Sequence, residues 1–415
     1  MIIEVLVKDE AGNRVDKAVI DIDKKVWPIW REYEIKESEI IVGKLIKGKL
    51  YDDGWNVETV DGYCKLDVPE GEYRLRAAKY LWLNEDGKRN WTAFQEWKGT
   101  KLEFTIYTWW VSVYVSVKDD LGNPVKNAYI DIDYHDGWRW NDFDADHEFT
   151  EVDIFRGSLT TAGYKGDKYN VVTDEEGKAG FFIWKRGYKY KDGDDLPNRY
   201  RFRVGKEGYL NKDWNEDWTE FQDTEVKLRD RVKKFTFTLY PLYITVECKV
   251  RDQCAPYVPG ARIDVDVNYK WDPRWYEYDK FKPEDVIVGE IDRSELYDDT
   301  INIKVDNSGY CKFLLPRRVN DSVVEYYGLR AAQKDYKNER REWDWTDRKE
   351  FEHPPSRISQ EFELTKPCNW SEPCTWNDCT VKIPIWVYIV GGVVIFGGIA
   401  LGTYMVLTRY LQEEK

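Results

Sequence analysis

Val111, Val113, Val115 and Val117 alternate with Ser112, Tyr114, Ser116 and Lys118. That period of two predicts a strand with one buried face. The turn Asp119-Asp-Leu-Gly-Asn-Pro124 follows, in which Gly122 supplies positive φ and Pro124 fixes φ. Ile130 and Ile132 then alternate with Asp131 and Asp133, which predicts a second strand with its carboxylates on the solvent side. The same pattern runs from Val5 to Asp23, and in more diverged form from Cys248 to Asp266, with no gap inside any copy. The period exceeds that of a solenoid and suits a whole small domain.

The copies match along their length. Trp91-Thr-Ala-Phe-Gln95 recurs as Trp218-Thr-Glu-Phe-Gln222 and, in part, as Trp345-Thr346. Tyr73-Arg-Leu-Arg-Ala-Ala78 has a counterpart in Tyr200-Arg-Phe-Arg-Val204, and Arg330-Ala-Ala332 echoes it. The expected organisation is a β-sandwich domain at 1–108, a second at 109–241 and a third at 242–366. Each should be antiparallel, with roughly seven strands. Polar, aromatic inserts such as Lys24 to Glu39 interrupt the pattern. The junctions Tyr107-Thr-Trp-Trp-Val111 and Tyr240-Pro-Leu-Tyr243 join strand to strand without a flexible linker.

This succession of strand, Asp-x-x-Gly-x-Pro-Val-x-x-Ala, strand, Asp-x-x-Gly, strand and Gly-x-Tyr-x-Leu/Val-x-Ala resembles the carboxypeptidase regulatory-like (transthyretin-like) β-sandwich family. The resemblance implies an all-β, Ig-like fold. It also implies an accessory, structural or adhesive role in a secreted or surface protein. The long inserts depart from that family's compact pattern.

From Ile383 to Thr408 no residue is charged and most are apolar. A run of about 20 such residues crosses a bilayer, so residues 383–408 are expected to form one C-terminal transmembrane helix, leaving a short tail at 409–415. Trp386, Tyr388 and Tyr404 sit where interfacial aromatics do. Gly398 and Gly402 make a small-xxx-small pattern. Residues 367–382 form a cysteine-bearing stalk. At the other end, Met1-Ile-Ile-Glu-Val enters the first strand with no signal-peptide pattern. Either a signal has been removed or the protein is tail-anchored.

The net charge of −14, with no basic stripe, excludes a nucleic-acid role. Two Met, three His and abundant charges of both signs fit a thermophile's surface. No catalytic motif is present and no cofactor is expected. Asp131, Asp133 and His135 are the metal candidates, through the carboxylate pairs Asp21/Asp23, Asp131/Asp133 and Asp264/Asp266 that share a strand face. No calcium-loop spacing surrounds them, and pairing with Arg74/Arg76, Arg201/Arg203 and Arg330 across the sheet accounts for the same residues. Cys248, Cys254, Cys368, Cys374 and Cys379 are disulfide candidates in a surface protein. The stalk cysteines lack a fourth zinc ligand at suitable spacing. Cys64 and Cys311 share a repeat position that reads as small and buried. Asn90, Asn320 and Asn369 lie in glycosylation sequons.

These features point to a membrane-anchored, non-enzymatic stalk, spike or envelope component, on a thermophilic archaeal cell or an archaeal virion. Its expected partners are the lipid bilayer, other envelope or capsid proteins and further copies of itself. The alternative is a glycan-binding adhesin that uses aromatic residues in polar surroundings, among them Trp138, Trp140, Trp271 and Trp275.

Overall fold

The computed structural model describes residues 1–366 apart from short internal stretches, the longest being 144–149 and 186–198; residues 367–415 lie outside it. The described chain is all-β, with three single-turn 3-10 helices. It divides into two compact units, Met1–Tyr243 and Ile244–Lys415. The first contains two of the sequence repeats and the second contains the third.

Each repeat folds into two facing sheets over its own core. In the first repeat, Ile2–Lys8 lies between Tyr63–Asp67 and Leu102–Thr105, with Ile40–Val42 at the edge. The facing sheet centres on Val19–Val26, flanked by Asp53–Glu58 and Tyr73–Ala78. Ile3, Val5, Val7, Ile20, Ile22, Leu75 and Phe104 from the two sheets close one core. Val113, Val115, Val117, Ile130, Ile132 and Phe202 do so in the second repeat, and Val246, Val250, Ile263, Val265 and Leu329 in the third. Alternating apolar positions therefore point inward, as their periodicity predicts.

Three features correct the expectation. The sandwiches are mixed rather than wholly antiparallel. The closing strand of each repeat runs parallel to its first strand, with Val5 opposite Leu102, Val115 opposite Phe235 and Val250 opposite Phe362. Parallel pairing makes the chain enter a repeat at one end and leave at the other, so in the first unit the closing strand leads directly into the strand Trp110–Asp119. Among its described residues the first repeat also has ten strands rather than about seven. The insert after its second strand lengthens that strand and folds back as Ile29–Glu32, with Asp23 opposite Glu32. Finally, Asp131 and Asp133 are buried at 1% and 8% exposure, while Ile130 and Ile132 are buried too. The register is as expected, but both faces of the strand are covered.

One turn glycine recurs for a clear reason. Gly177 has φ +67°, and a Cβ there would lie 2.4 Å from the Val117 carbonyl oxygen. Gly62 and Gly309 occupy the same position, with φ +68° at each. Only glycine fits so close beneath the first strand.

Among the described residues no helix is long and apolar enough to cross a membrane. The expected span at 383–408, with Trp386, Tyr388, Gly398, Gly402 and Tyr404, lies outside them, as do Cys254, Cys368, Cys374, Cys379, Asn369 and Trp138.

Candidate functional site

The polar face of the second strand carries a repeated constellation. In the first repeat Asp21 and Asp23 stand opposite Arg76 and Arg74. Arg76 Nε donates to Asp21 at 2.6 Å and Arg74 Nη2 to Asp23 at 2.5 Å. In the second repeat Arg203 Nε reaches Asp131 at 2.5 Å and Arg201 Nε reaches Asp133 at 2.7 Å. The expected charge pairs thus form, but beneath a roof rather than in water.

Aromatic rings make the roof. In the first repeat the Arg74 guanidinium lies between Trp30 and Phe94, at 5.1 and 3.9 Å from their centroids, and Arg76 lies between Phe94 and Trp91, at 4.5 and 4.9 Å. The second repeat repeats this order: Trp140 and Phe221 flank Arg201 at 4.5 and 3.8 Å, and Phe221 and Trp218 flank Arg203 at 4.6 and 4.7 Å. Cations between ring faces gain electrostatic attraction, more so when desolvated. The recurring Trp-Thr dipeptide has its role here. Thr92, Thr219 and Thr346 each accept a hydrogen bond through Oγ1 from the arginine strand, from Ala77, Val204 and Ala331 N, at 2.9 Å. The same three threonines donate their own N–H to the carbonyls of Ala77, Val204 and Ala331. They pin the roof segment to the sheet.

The third repeat reaches the same end with different residues. Gly328 stands where Arg201 does, and Arg348 stands where Phe221 does. Arg348 pairs with Asp266 at 2.7 Å and lies 4.6 Å from the Trp275 ring. Arg330 pairs with Asp264 and stacks 5.0 Å from Trp345. Asp299 lies beside Asp264, and Arg330 Nη2 lies 3.7 Å from the Asp299 carboxylate. Burial and then the neighbouring Asp299 push Asp264 up to about 9. Burial, followed by the neighbouring Asp167 and Asp133 carboxylates, pushes Asp131 up to about 7.

Asp131 and Asp133 are therefore held by guanidinium groups, while the ring of His135 meets Trp140 edge-on with centroids 5.1 Å apart. A different group of metal-capable side chains is brought together by the fold. Glu325, Glu352 and His353 place one ligand atom each within 4.8 Å of the others. The pairing of Tyr326 with Glu352 assembles them. Sequence spacing gave no sign of it. Asn90 and Asn320 are exposed.

The aromatics expected to be exposed divide into two kinds. Trp140 is half-buried on Arg201, whereas Trp271 is 90% exposed. Trp271 borders an open cleft of about 520 Å³ with Trp275, Tyr326, Asn268, Glu325 and Glu350.

A second constellation lies between the first two repeats. Lys185 Nζ donates to Glu10 Oε1 at 2.7 Å and to Thr108 Oγ1 at 3.0 Å. Thr108 Oγ1 donates to Glu10 Oε1 at 2.6 Å. Burial pulls the Lys185 ammonium below the usual lysine range. Around it Trp109 meets Trp110 and Trp184 at centroid distances of 5.5 and 6.0 Å, and Trp82 meets Trp110 at 6.4 Å. No single motif marks this cluster, because its members come from two repeats and their junction.

No protein-family model matches the chain, and no curated protein matches it. The likeness to carboxypeptidase regulatory-like domains therefore stays at the level of the turn-and-strand pattern. Among solved structures the chain is similar to the Bacillus anthracis TIE protein, at 13% identity and a TM-score of 0.26, over 88% of this chain and 49% of that one. It thus spans about half that protein's length. It is also similar to the Streptococcal ancillary pilin, at 11% identity and a TM-score of 0.24, over 89% and 100% of the two chains. The full-length major pilin SpaD from Corynebacterium diphtheriae gives 12% identity and a TM-score of 0.24, over 88% and 97%. These identities and scores are too low to transfer a function.

Proposed function

We propose that the chain is a non-enzymatic structural protein of a cell or virion surface, a stalk or envelope component held in a bilayer by residues 383–408. The observation that carries this is the buried Lys185–Glu10–Thr108 tie between the first two repeats. Two successive sandwiches locked by a desolvated ion pair and a tryptophan cluster suit a stiff spacer. The polar residues that recur with the repeat are spent on covering the sheets. The composition and the anchor suggest a thermophilic archaeal envelope or virion as the setting, with lipid and neighbouring coat proteins as partners.

Fractionation of the native source tests this reading. The protein is expected in the membrane or particle fraction and open to external protease. Recovery from the soluble cytosolic fraction would overturn it.

A second reading, glycan binding, is favoured by the Trp271 cleft alone. Its flat exposed ring and the nearby amide and carboxylates suit a sugar ring. A glycan array separates the two. Selective binding lost in Trp271→Ala would support an adhesin, and no selective binding leaves the structural role.

A further inference from the structure

The first strand of each repeat pairs with the strand that follows the recurring glycine turn. Val5 faces Cys64 in the first repeat and Val115 faces Ala179 in the second. In these repeats Val7 N and Val117 N donate to the carbonyls of Gly62 and Gly177. In the third repeat Val250 N donates to Gly309 O at 2.8 Å, and Tyr243–Asp252 neighbours Tyr310–Pro316 in the sheet. Stepping two residues back from Val250 and two forward from Gly309 sets Cys248 opposite Cys311. Both are fully buried in the same core. Both thiols are free in this structure, and Cys311 is a close neighbour of Cys248.

We propose that Cys248 and Cys311 are joined by a cross-strand disulfide when the protein folds in oxidising surroundings. Facing residues on antiparallel strands have Cα atoms about 4.5–5.5 Å apart. A disulfide accepts about 4.4–6.8 Å. The Cα spacing of facing residues thus falls within the range that a disulfide spans. The oxidant is a small-molecule or oxidoreductase disulfide. Each cysteine gives up its thiol proton and the pair gives up two electrons, one sulfur–sulfur bond forms, and the oxidant's disulfide is reduced to two thiols.

The setting decides when this happens. Burial, and then the neighbouring thiol, hold Cys248 well above the usual thiol range. In the folded protein Cys248 is thus a weak nucleophile, and both sulfurs are out of reach of solvent. The bond forms before the two sheets close and is afterwards shielded from reductant. It then staples the strand that begins the third repeat to its sheet.

The protein contains its own control. Cys64 is buried with Val5 opposite it, and burial pushes its thiol up to about 12. It has the same repeat position as Cys311 but faces a valine.

The test uses the full-length chain, refolded from guanidinium in detergent with a reduced and oxidised glutathione buffer. It is then alkylated in denaturant without reduction and mapped by mass spectrometry. The expected result is a linked Cys248–Cys311 peptide pair with Cys64 alkylated. Alkylation of both Cys248 and Cys311, or linkage of Cys248 to Cys254, would overturn the proposal. Cys311→Ala keeps the residue that the second repeat has at this position. It should lower the melting temperature of glutathione-refolded protein more than that of protein refolded and melted in reductant. Equal losses in the two conditions would also overturn it.

Discussion

Arg348 fills the space that Gly328 leaves open. A Cβ on Gly328 would sit 2.5 Å from Arg348 Cδ and 2.9 Å from the Trp275 ring. In the second repeat the corresponding residues are Arg201 and Phe221, so the guanidinium comes from the sheet and the ring from the roof. The third repeat exchanges these sources while keeping a cation against Asp266 and an aromatic face on that cation.

The exchange predicts a compensating pair of substitutions. Gly328→Arg alone overpacks the site and should cost about 1–3 kcal/mol. Arg348→Phe alone weakens the pairing of buried Asp266 and should cost about 3–5 kcal/mol. The double variant recreates the second repeat's order and should recover at least about 1 kcal/mol relative to the sum of the singles. Urea denaturation of the four proteins checks this. Strict additivity would show that the two positions do not substitute for each other.

The expected core was legible because Val113, Val115, Val117, Ile130 and Ile132 obey a strict period of two. The aspartates on the opposite parity misled for a physical reason. Periodicity identifies which residues share a face, but not whether a distant segment covers that face. Trp91 and Trp218 lie 15 residues beyond the arginines they cover, as the bonds from Ala77 to Thr92 and from Val204 to Thr219 show. The recurrence of Trp-Thr was visible, yet only the fold explains it. Parallel pairing of the closing strands was hidden for a similar reason, since strand direction leaves no mark on alternation. The Glu325, Glu352 and His353 group depends on strand register and has no local signature.

The two kinds of tryptophan should respond differently to truncation. Trp218 is 8% exposed and covers Arg203. Trp218→Ala should cost about 3–5 kcal/mol, as for other buried aromatics. It should also let water reach Asp131 and bring that carboxyl back toward the ordinary range. Trp271 is 90% exposed, and Trp271→Ala should change stability by no more than about 0.5 kcal/mol. Denaturation measurements with NMR titration of Asp131 separate these outcomes. Equal stability losses would contradict the division.

Lys185 and Glu10 make a harsher prediction. Their side chains are 1% and 0% exposed. Lys185→Met removes the cation but leaves Glu10 buried beside Thr108, which should cost about 3–5 kcal/mol. Replacing both, as Glu10→Leu with Lys185→Met, removes the stranded charge and should lie much nearer to the parent protein. The double-mutant cycle is read from urea unfolding followed by tryptophan fluorescence. A loss under about 1 kcal/mol for Lys185→Met would mean that water enters the junction and the repeats are not locked by this pair.

The last prediction concerns pH. In the third repeat three buried carboxyl groups, Asp264, Asp266 and Asp299, meet two guanidinium groups, Arg330 and Arg348. The excess negative charge is relieved when Asp264 holds a proton, which its burial and the neighbouring Asp299 favour. Burial raises Asp264 from 3.8 to about 9 in the folded protein. Between those two values the native state holds a proton that the unfolded chain has released. Stability from this group is therefore fully present below about pH 4 and falls as the pH rises through about 9. Asp264→Asn leaves two carboxylates to two cations and keeps a side chain that can donate to Asp299. Relative to the parent, the variant should become steadily more stable as the pH increases from 4 to 9. The measurement is chemical denaturation of both proteins across that range, following the transition of the second unit. A difference that does not change with pH would show that Asp264 is ionised throughout, held by Arg330 alone.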